Sequence, residues 1–342
     1  MGKMNIDQVA KLAYVSRSVV SRVLNDHPDV SREARDRVLK VIRKYNYRPN
    51  SVARSLVTDR TYEISVLAPR RNKEALLSWI WPLLHIGISE QCIRRGYFVS
   101  LSMISADMEA KINERILYAH AFDGYILITQ EVTAMVGAAL RGRNVPAVAI
   151  GHDPAFPDFN SIDVDNLDGA YQATKHLVQL GHRLIAAVLG SPQMQETTDR
   201  RNGYLQALHD SGIPASDELI ATGDYSQKSG YEITSRWMAR QPAPTAIFCA
   251  SDAIAMGCLL ALHHVGRSVP GDVAVVGFDD LPGSGYTWPP LTTVRQPTYE
   301  KGEQAANILI DQIEGQADRI VHLQLRPQLV VRQTCGATRA SA

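Results

Sequence analysis

Hydrophobic and polar positions follow the 3.6-residue period of α-helices over the first sixty residues. The first apolar stripe comprises Ile6, Val9, Ala10 and Ala13, at the spacing i, i+3, i+4 and i+7. Asn5 precedes this stripe as a favourable N-cap residue, and Gln8 three residues later completes a capping-box pattern. The stretch therefore predicts a short amphipathic helix that begins after Asn5.

Two further helices are predicted before residue 48. Ser16 is the predicted cap of a helix that runs to about Asn25, and Ser31 is the predicted cap of a third helix. Their apolar stripes are Val20, Val23 and Leu24 in the second helix, and Ala34, Val38, Val41, Ile42 and Tyr45 in the third. Two short helices joined by about three residues, with a third that closes the core, are typical of the helix-turn-helix motif.

The outer face of the second predicted helix carries only small polar or cationic side chains. They are Arg17, Ser18, Ser21, Arg22 and Asn25. Arg can pair with guanine edges in the major groove, and Ser can contact bases or phosphates. We therefore expect Arg17, Ser18 and Arg22 to read bases or groove edges, and Ser16, Ser21 and Asn25 to position the helix on the DNA backbone. Asn5, at the start of the first helix, is a further expected DNA contact.

From residue 62 onward, apolar runs alternate with helical stretches. The predicted buried parallel strands lie at 64–67, 98–101, 125–128, 145–150, 184–189, 246–249 and 273–278. The predicted helices lie at 169–179, 198–211, 227–240 and 252–264. This alternation predicts a doubly wound α/β body, and such sheets bind ligands beyond the carboxyl ends of their strands.

Charge is distributed unevenly between these two parts. The 342 residues include 36 Lys and Arg against 35 Asp and Glu, yet residues 1–60 hold 13 against 6. A small basic head on a mildly acidic body fits a nucleic-acid reader attached to a second function. A solvated charged helix face would give the same balance, so charge alone does not decide between them.

Several function classes lack their motifs in this chain. We find no Walker A loop, no G-x-S-x-G elbow, no H-E-x-x-H and no C-x-x-C, and we therefore predict no enzymatic activity, no cofactor and no metal site. The four cysteines are far apart, which is typical of a protein from a reducing compartment. Neither a signal peptide nor a membrane-length apolar run is present, so we expect a cytoplasmic protein.

The first sixty residues resemble the LacI/GalR family of bacterial transcriptional regulators. The shared segments are VAKLA (9–13), VS (15–16), SRVLN (21–25), VS (30–31), RV (37–38), YRPN (47–50) and VARSL (52–56). Members of that family usually carry Gly where Tyr14 stands, and often carry Thr where Val19 stands. If residue 14 adopts a positive φ, its Tyr side chain costs about 1 kcal/mol there.

Residues 49–61 form a predicted hinge. A helix capped by Asn50 and ending near Leu56 would have about two turns, and such short helices are marginal in water. The resemblance implies that this segment, with Asn50, Ala53 and Arg54, becomes helical in the minor groove beside its mate from a second subunit. Leu56 would wedge between base pairs and kink the DNA. The alternative is an ordinary flexible linker.

The body resembles the effector domain of the same family, which is similar to periplasmic sugar-binding proteins. The shared segments are DVDN (163–166), LGHR (180–183), RRNGY (200–204), ASD (250–252), VGFDD (276–280) and PLTTV (290–294). The resemblance implies a headpiece at 1–48, the hinge at 49–61 and a two-lobed effector domain at 62–342. It places the N-lobe at about 62–162 and 292–322, and the C-lobe at about 163–291 and 323–336. The chain would cross between lobes near 161–164, 289–293 and 320–324.

Arg200 and Asp279 stand where the family has its ligand-binding arginine and aspartate. Asp and Arg are suited to vicinal sugar hydroxyls because both offer paired polar atoms. The alternative is a structural ion pair between them across the cleft. Tyr225 aligns with an aromatic residue that stacks on sugar rings, and Ser251 aligns with a polar ligand contact; simple packing or helix capping would explain each equally well.

Arg70 and Arg71 depart from the family pattern, because they follow the first strand in a basic loop with Lys73. This loop is either a solvated charged loop or a site for an anionic effector, such as a sugar phosphate or sugar acid. Together the patterns predict a regulator, most simply a repressor of carbohydrate-metabolism genes under the control of a sugar-like effector. It would bind a near-palindromic operator as a homodimer or a tetramer. A nucleotide or sugar-phosphate corepressor, or a protein partner, is the alternative signal.

Overall fold

The computed structural model describes residues 4–24, 27–47, 60–70, 80–108, 111–112, 114, 121–151, 155–317 and 319–337. The chain forms two compact units, Met1–Thr61 and Tyr62–Ala342. We call them the headpiece and the body and describe each by itself.

Within its described residues, the headpiece forms three helices, α1 (Ile6–Ala13), α2 (Arg17–Leu24) and α3 (Arg32–Tyr45). Their core is built on Val9, Val20 and Val38, which are fully buried. The predicted helix-turn-helix is therefore confirmed. In the predicted stripe of α3, Tyr45 is largely exposed instead of buried, because it occupies the last turn of the helix, beyond the contact with α1 and α2.

The caps and the turn of the headpiece follow from the sequence. The predicted capping box is present, since Asn5 Oδ1 accepts from the Gln8 amide and Gln8 Oε1 accepts from the Asn5 amide, both at 2.9 Å. Ser31 Oγ accepts from the Ala34 amide at 3.3 Å. Tyr14 ends α1 in the left-handed conformation, with φ 54° and ψ 47°. Position 14 therefore does require the backbone conformation that favours glycine.

The body contains two six-stranded sheets. The first sheet has the order β11-β5-β4-β3-β1-β2 and the second has the order β12-β10-β9-β8-β6-β7. The strands are β1 (Glu63–Pro69), β2 (Phe98–Ile104), β3 (Gly124–Ile128), β4 (Ala147–Ile150), β5 (Asn160–Val164), β6 (Ile185–Leu189), β7 (Ile220–Thr222), β8 (Ala246–Cys249), β9 (Ala274–Asp279), β10 (Thr292–Arg295), β11 (His322–Leu325) and β12 (Gln328–Val330). All neighbours are parallel except β10 and β12, which are antiparallel.

Helices cover the faces of both sheets. They are α4 (Ile80–Arg94), α5 (Gln130–Gly142), α6 (Asn166–Gln179), α7 (Gln195–His209), α8 (Gln227–Met238), α9 (Asp252–His264) and α10 (Thr298–Ile313). Glycines permit the closest helix pairs: a Cβ at Gly203 of α7 would collide with a carbonyl oxygen of α6, and a Cβ at Gly257 of α9 would collide with the carbonyl oxygen of Gln227 in α8. None of the described helices is long and apolar enough to cross a membrane.

Each sheet with its helices forms one lobe, and the order of the strands corrects the expected crossovers. The second crossover was expected near 289–293, but β10 pairs with β9 and so belongs to the C-lobe; the chain passes to the N-lobe after Arg295. The third was expected near 320–324, but β11 still pairs with β5 of the N-lobe. Both expectations were taken from the family resemblance, whereas the strand pairing of this chain decides where each lobe ends.

One predicted strand differs in its environment. The run at 98–101 was predicted to be buried, yet Phe98 is 72% exposed and Leu101 is 48% exposed. The strand β2 lies at the edge of its sheet, where β1 is its one neighbour. An apolar run in an edge strand therefore remains on the surface of a single chain.

Candidate functional site

The headpiece presents one polar helix face. On α2, Arg17, Ser18 and Arg22 are exposed, while Ser21 is half-buried. Arg17 Nε lies 4.0 Å from Asp7 Oδ1 of α1. This face has the dimensions and chemistry of a recognition helix, because its side chains are short or cationic and protrude from a packed three-helix core.

Two of the residues predicted to contact DNA, Ser16 and Asn5, lie at the helix ends. Ser16 Oγ contacts Ser18 Oγ at 2.7 Å and accepts from the Val19 amide at 3.4 Å. Asn5 uses its side chain for the capping box. The remaining predicted DNA contacts, namely Asn25, Asn50, Ala53, Arg54 and Leu56, lie outside the described residues.

A cleft of about 1260 Å³ separates the two lobes of the body. Its walls combine apolar and aromatic side chains with several carboxylates, amides and cations. Arg200, Tyr225, Ser251 and Asp279 all line it. The structure thus brings four of the six predicted effector residues to one cavity, where the carboxyl ends of the C-lobe strands meet.

Arg200 is the most constrained cation of this cleft. It lies in α7 and is 4% exposed. Its Nε donates to Asn166 Oδ1 at 2.9 Å, its Nη1 donates to the carbonyl oxygen of Ala250, and its guanidinium carbon lies 3.8 Å from the centroid of the Phe278 ring. These contacts hold the planar group in one orientation, and ring stacking adds a favourable cation–π interaction.

Asp279 ends β9 beside this guanidinium. Its Oδ1 lies 3.9 Å from Arg200 Nη1 and accepts from Gln296 Nε2 at 2.6 Å. The two side chains do lie within ion-pair distance, but the pair lies within one wall of the C-lobe and not across the cleft, because both residues belong to that lobe. Binding of an effector by this pair stays a prediction. The backbone of Asp279 has φ 120° and that of Asp280 has φ 56°. Two successive non-glycine residues with positive φ are a strained arrangement of the kind that concentrates at functional sites.

Burial alters the protonation of this carboxylate. Burial raises the pKa of Asp279, and the nearby positive charge of Arg200 opposes that shift. Asp252 behaves similarly: burial raises its pKa first, and the charge of Asp279 raises it further. Asp252 is held by the Ser284 and Thr293 hydroxyls and by the Leu281 amide. The two carboxylates therefore share a poorly solvated corner of the C-lobe.

Tyr225 and Ser251 each have a structural contact in addition to facing the cleft. Tyr225 Oη lies 2.8 Å from Thr197 Oγ1, and a Cβ at Gly190 would collide with its ring. Ser251 caps α9, since its hydroxyl accepts from the Ile254 amide at 3.2 Å. Capping is thus one function of Ser251, and contact with an effector stays a prediction for both residues.

Comparisons with known proteins agree with this architecture. Residues 5–50 match the bacterial regulatory proteins of the lacI family, and residues 174–335 match the periplasmic binding protein-like domain. The chain is 33% identical over 331 residues to the HTH-type transcriptional regulator CelR of Thermobifida fusca, covering 96% of this chain and 97% of that protein. It belongs to the lacI family. It is also 31% identical over 335 residues to the HTH-type transcriptional repressor PurR of Actinobacillus pleuropneumoniae, covering 96% and 97%.

Solved structures of lacI-family proteins show the same arrangement. The CelR–cellobiose complex aligns with a TM-score of 0.76 at 30% identity and covers 97% of this chain and 99% of that one. The Lac repressor dimer bound to operator and the anti-inducer ONPF aligns with a TM-score of 0.84 at 29% identity, covering 98% and 100%. The protein is therefore a DNA-binding transcriptional regulator of the lacI family and not an enzyme, as the sequence predicted.

The structure describes Arg70 of the basic loop after β1, and this residue does not line the cleft of this lacI-family regulator. Arg70 is exposed and is absent from the cleft wall, while its amide donates to the carbonyl oxygen of Ile104. Arg71 lies outside the described residues. The position of Arg70 favours the solvated-loop interpretation. Trp81 of α4 lines the cleft and also packs against the N-lobe core.

Sequence reasoning missed several polar residues of the cleft. They are Asp163, Asn166, Glu196, Asp224, Gln296 and Lys301. Asp163 is in β5, and Gln296 follows β10 directly, so a correct placement of these two strands would have identified both positions. Glu196 stands four residues before Arg200 on α7, and the helical period alone indicates that the two share a face.

Proposed function

We propose that this protein represses transcription from a near-palindromic operator and that a sugar-like effector in the interlobe cleft controls its affinity for DNA. The observation that supports this most strongly is the wall built by Arg200, Asp279 and Tyr225. It offers a fixed guanidinium, a carboxylate and an aromatic ring at one end of a large cleft. Planar polar groups beside aromatic rings are the chemistry that recognises vicinal hydroxyls and the apolar faces of sugars.

The headpiece supplies the DNA-binding part of the proposal. Arg17, Ser18 and Arg22 would contact base edges, with Ser16, Ser21 and Asn25 on the backbone. Asn50, Ala53, Arg54 and Leu56 would form the hinge helix in the minor groove. The effector acts by favouring one arrangement of the lobes, and it can change operator affinity only by its own difference in affinity for the two arrangements.

We further propose that the protein acts as a homodimer in the bacterial cytoplasm, where the operator lies. Two exposed apolar regions of the body support association. One comprises Ile93 of α4 with Phe98 and Leu101 of β2, and the other comprises Tyr286 and Trp288. Contiguous exposed apolar patches commonly mark sites of association. Sedimentation equilibrium should give a mass twice that of one chain, and a monomer at micromolar concentration would contradict the proposal.

Selection of binding sites from random duplexes at near-physiological salt tests the function directly. The expected winner is a near-palindrome whose affinity changes when sugars are added. If the affinity for the operator changes only on addition of a nucleotide, a sugar phosphate or a protein fraction, that component replaces the sugar as the proposed effector. Absence of any enriched sequence would contradict the proposed sequence-specific regulator.

A further inference from the structure

Glu196 is a carboxylate in the cleft whose position no ion pair explains. It lies in the first turn of α7, one turn before Arg200, and it lines the cleft. No Lys, Arg or His of the described residues lies within the 4.0 Å ion-pair distance of its carboxylate. Asp163 lines the same cleft from β5 of the N-lobe. Two carboxylates from opposite lobes thus face one cavity.

The cations of the cleft already have acceptors. Arg200 is bonded to Asn166 and lies beside Asp279. Lys301 Nζ donates to Gln296 Oε1 at 3.4 Å, and Lys228 Nζ lies 3.9 Å from Glu232 Oε1. An anionic effector would therefore have to displace existing partners in order to find a positive charge.

Carboxylates outnumber cations along the described cleft wall. The carboxylates are Asp163, Glu196, Asp224, Glu232 and Asp279, and the cations are Arg200, Lys228 and Lys301. Burial raises the pKa of Glu196, Arg200 opposes that shift, and Asp163 adds to it. The excess of carboxylates makes the cavity acidic, which disfavours an anionic ligand and favours ligand groups that donate hydrogen bonds.

The N-terminus of α7 gives Glu196 a further effect. The N-cap residue of α7, Met194, makes no side-chain capping bond, so the positive end of the helix dipole together with Arg200 would attract an anionic ligand. Glu196 places a negative charge in that first turn. Its carboxylate therefore occupies the positive N-terminal end of α7 and competes with any ligand anion that would bind there.

We propose that Glu196 determines the charge of the effector: its carboxylate accepts hydrogen bonds from hydroxyl or amino groups of the ligand and excludes a ligand that carries a carboxylate or phosphate at this end. Asp163 accepts from the same ligand across the cleft. The inference rests on the proposed binding of a sugar-like effector in this cavity. It decides against the anionic effector that the basic loop at Arg70 first suggested.

Calorimetric titration of the full chain with matched sugars tests this inference. The probes are cellobiose, together with glucose, glucosamine, glucuronate and glucose 6-phosphate and the same four forms of galactose. We expect a neutral or amino member to bind and its acidic or phosphorylated counterpart to bind at least ~10-fold more weakly, because one charge-assisted hydrogen bond is replaced by repulsion. Glu196→Gln should weaken binding of that neutral or amino sugar about ten-fold. It should also reduce the difference in affinity between that sugar and its acidic or phosphorylated counterpart.

Asp199→Asn is the matched control. Asp199 lies on the same helix and does not line the cleft, although Gln195, which donates to it at 2.9 Å, does. Asparagine keeps the oxygen that accepts from Gln195, so the replacement removes one charge from α7 without releasing a cleft residue. It should leave the discrimination unchanged. Preference of the wild-type protein for an anionic member, or equal discrimination in Glu196→Gln and wild type, would overturn the role of Glu196 while leaving a sugar effector in place. Binding of none of the probes would overturn both proposals.

Discussion

Replacement of Tyr14 by Gly is expected to stabilise the headpiece. The left-handed conformation of Tyr14 (φ 54°) costs an L-residue about 1–2 kcal/mol and costs glycine almost nothing. Tyr14 is 87% exposed, so removal of its side chain loses little buried surface. Glycine gains freedom in the unfolded chain, which offsets about 0.4–1 kcal/mol. The expected net gain in the free energy of unfolding is about 0.5–1 kcal/mol.

Amide hydrogen exchange in the full chain measures this gain locally. The Val15 amide donates to the carbonyl oxygen of Ala10 at 3.0 Å and the Val9 amide donates to that of Asn5 at 3.2 Å, so both report opening of α1 and its turn. A gain of about 0.5–1 kcal/mol should slow their exchange by about two- to five-fold. Tyr14→Ala is the control, because alanine keeps the backbone penalty and should slow neither amide. Equal slowing in both variants, or faster exchange in Tyr14→Gly, would refute the reasoning.

Three further predictions concern the site and its scaffold. Burial raises the pKa of Asp279 to about 6; below that pH the carboxyl is protonated and loses the negative charge that strengthens the hydrogen bonds it accepts, so effector affinity should fall as pH drops from 7 to 5 in wild type and fall less steeply in Asp279→Asn, as measured by calorimetry. Gly257→Ala places a Cβ against the carbonyl oxygen of Gln227 and should lower Tm by roughly 2–10 °C. Gly142→Ala has open space around the added Cβ and should not lower Tm. Equal Tm values for the two variants would contradict the close packing of Gly257. Arg17→Ala should cost about 1–3 kcal/mol on the selected operator and less on random DNA, and equal losses on both would assign Arg17 to the phosphate backbone.

Periodicity predicted the elements that are either amphipathic or fully buried. The predicted helix at 252–264 coincides with α9, and the predicted strand at 246–249 coincides with β8. In both, apolar spacing and burial agree because each element packs on the core of its lobe. The helices α4, α5 and α10 were not predicted individually, although they also pack against the N-lobe sheet.

Long-range pairing set the features that the sequence could not provide. The sequence of β10 would predict a strand in either lobe, and only the pairing of β10 with β9 assigns it to the C-lobe. Candidate ligand-binding residues were predicted where a family motif contains them, as at Arg200 and Asp279. Glu196 and Gln296 were missed, because their importance arises from the cleft that two lobes form together.

The most direct test of the account compares operator affinity with and without the sugar that binds best, in the wild-type protein and in Asp279→Asn. Wild-type affinity for the selected operator should change by about 5- to 150-fold on addition of the sugar, which is the usual range of coupling between two sites. Asp279→Asn should bind the same operator with its sugar-free affinity unchanged and should not respond at that sugar concentration. An equal response in Asp279→Asn, or no response in wild type to a sugar that binds it, would contradict control of the headpiece from this cleft.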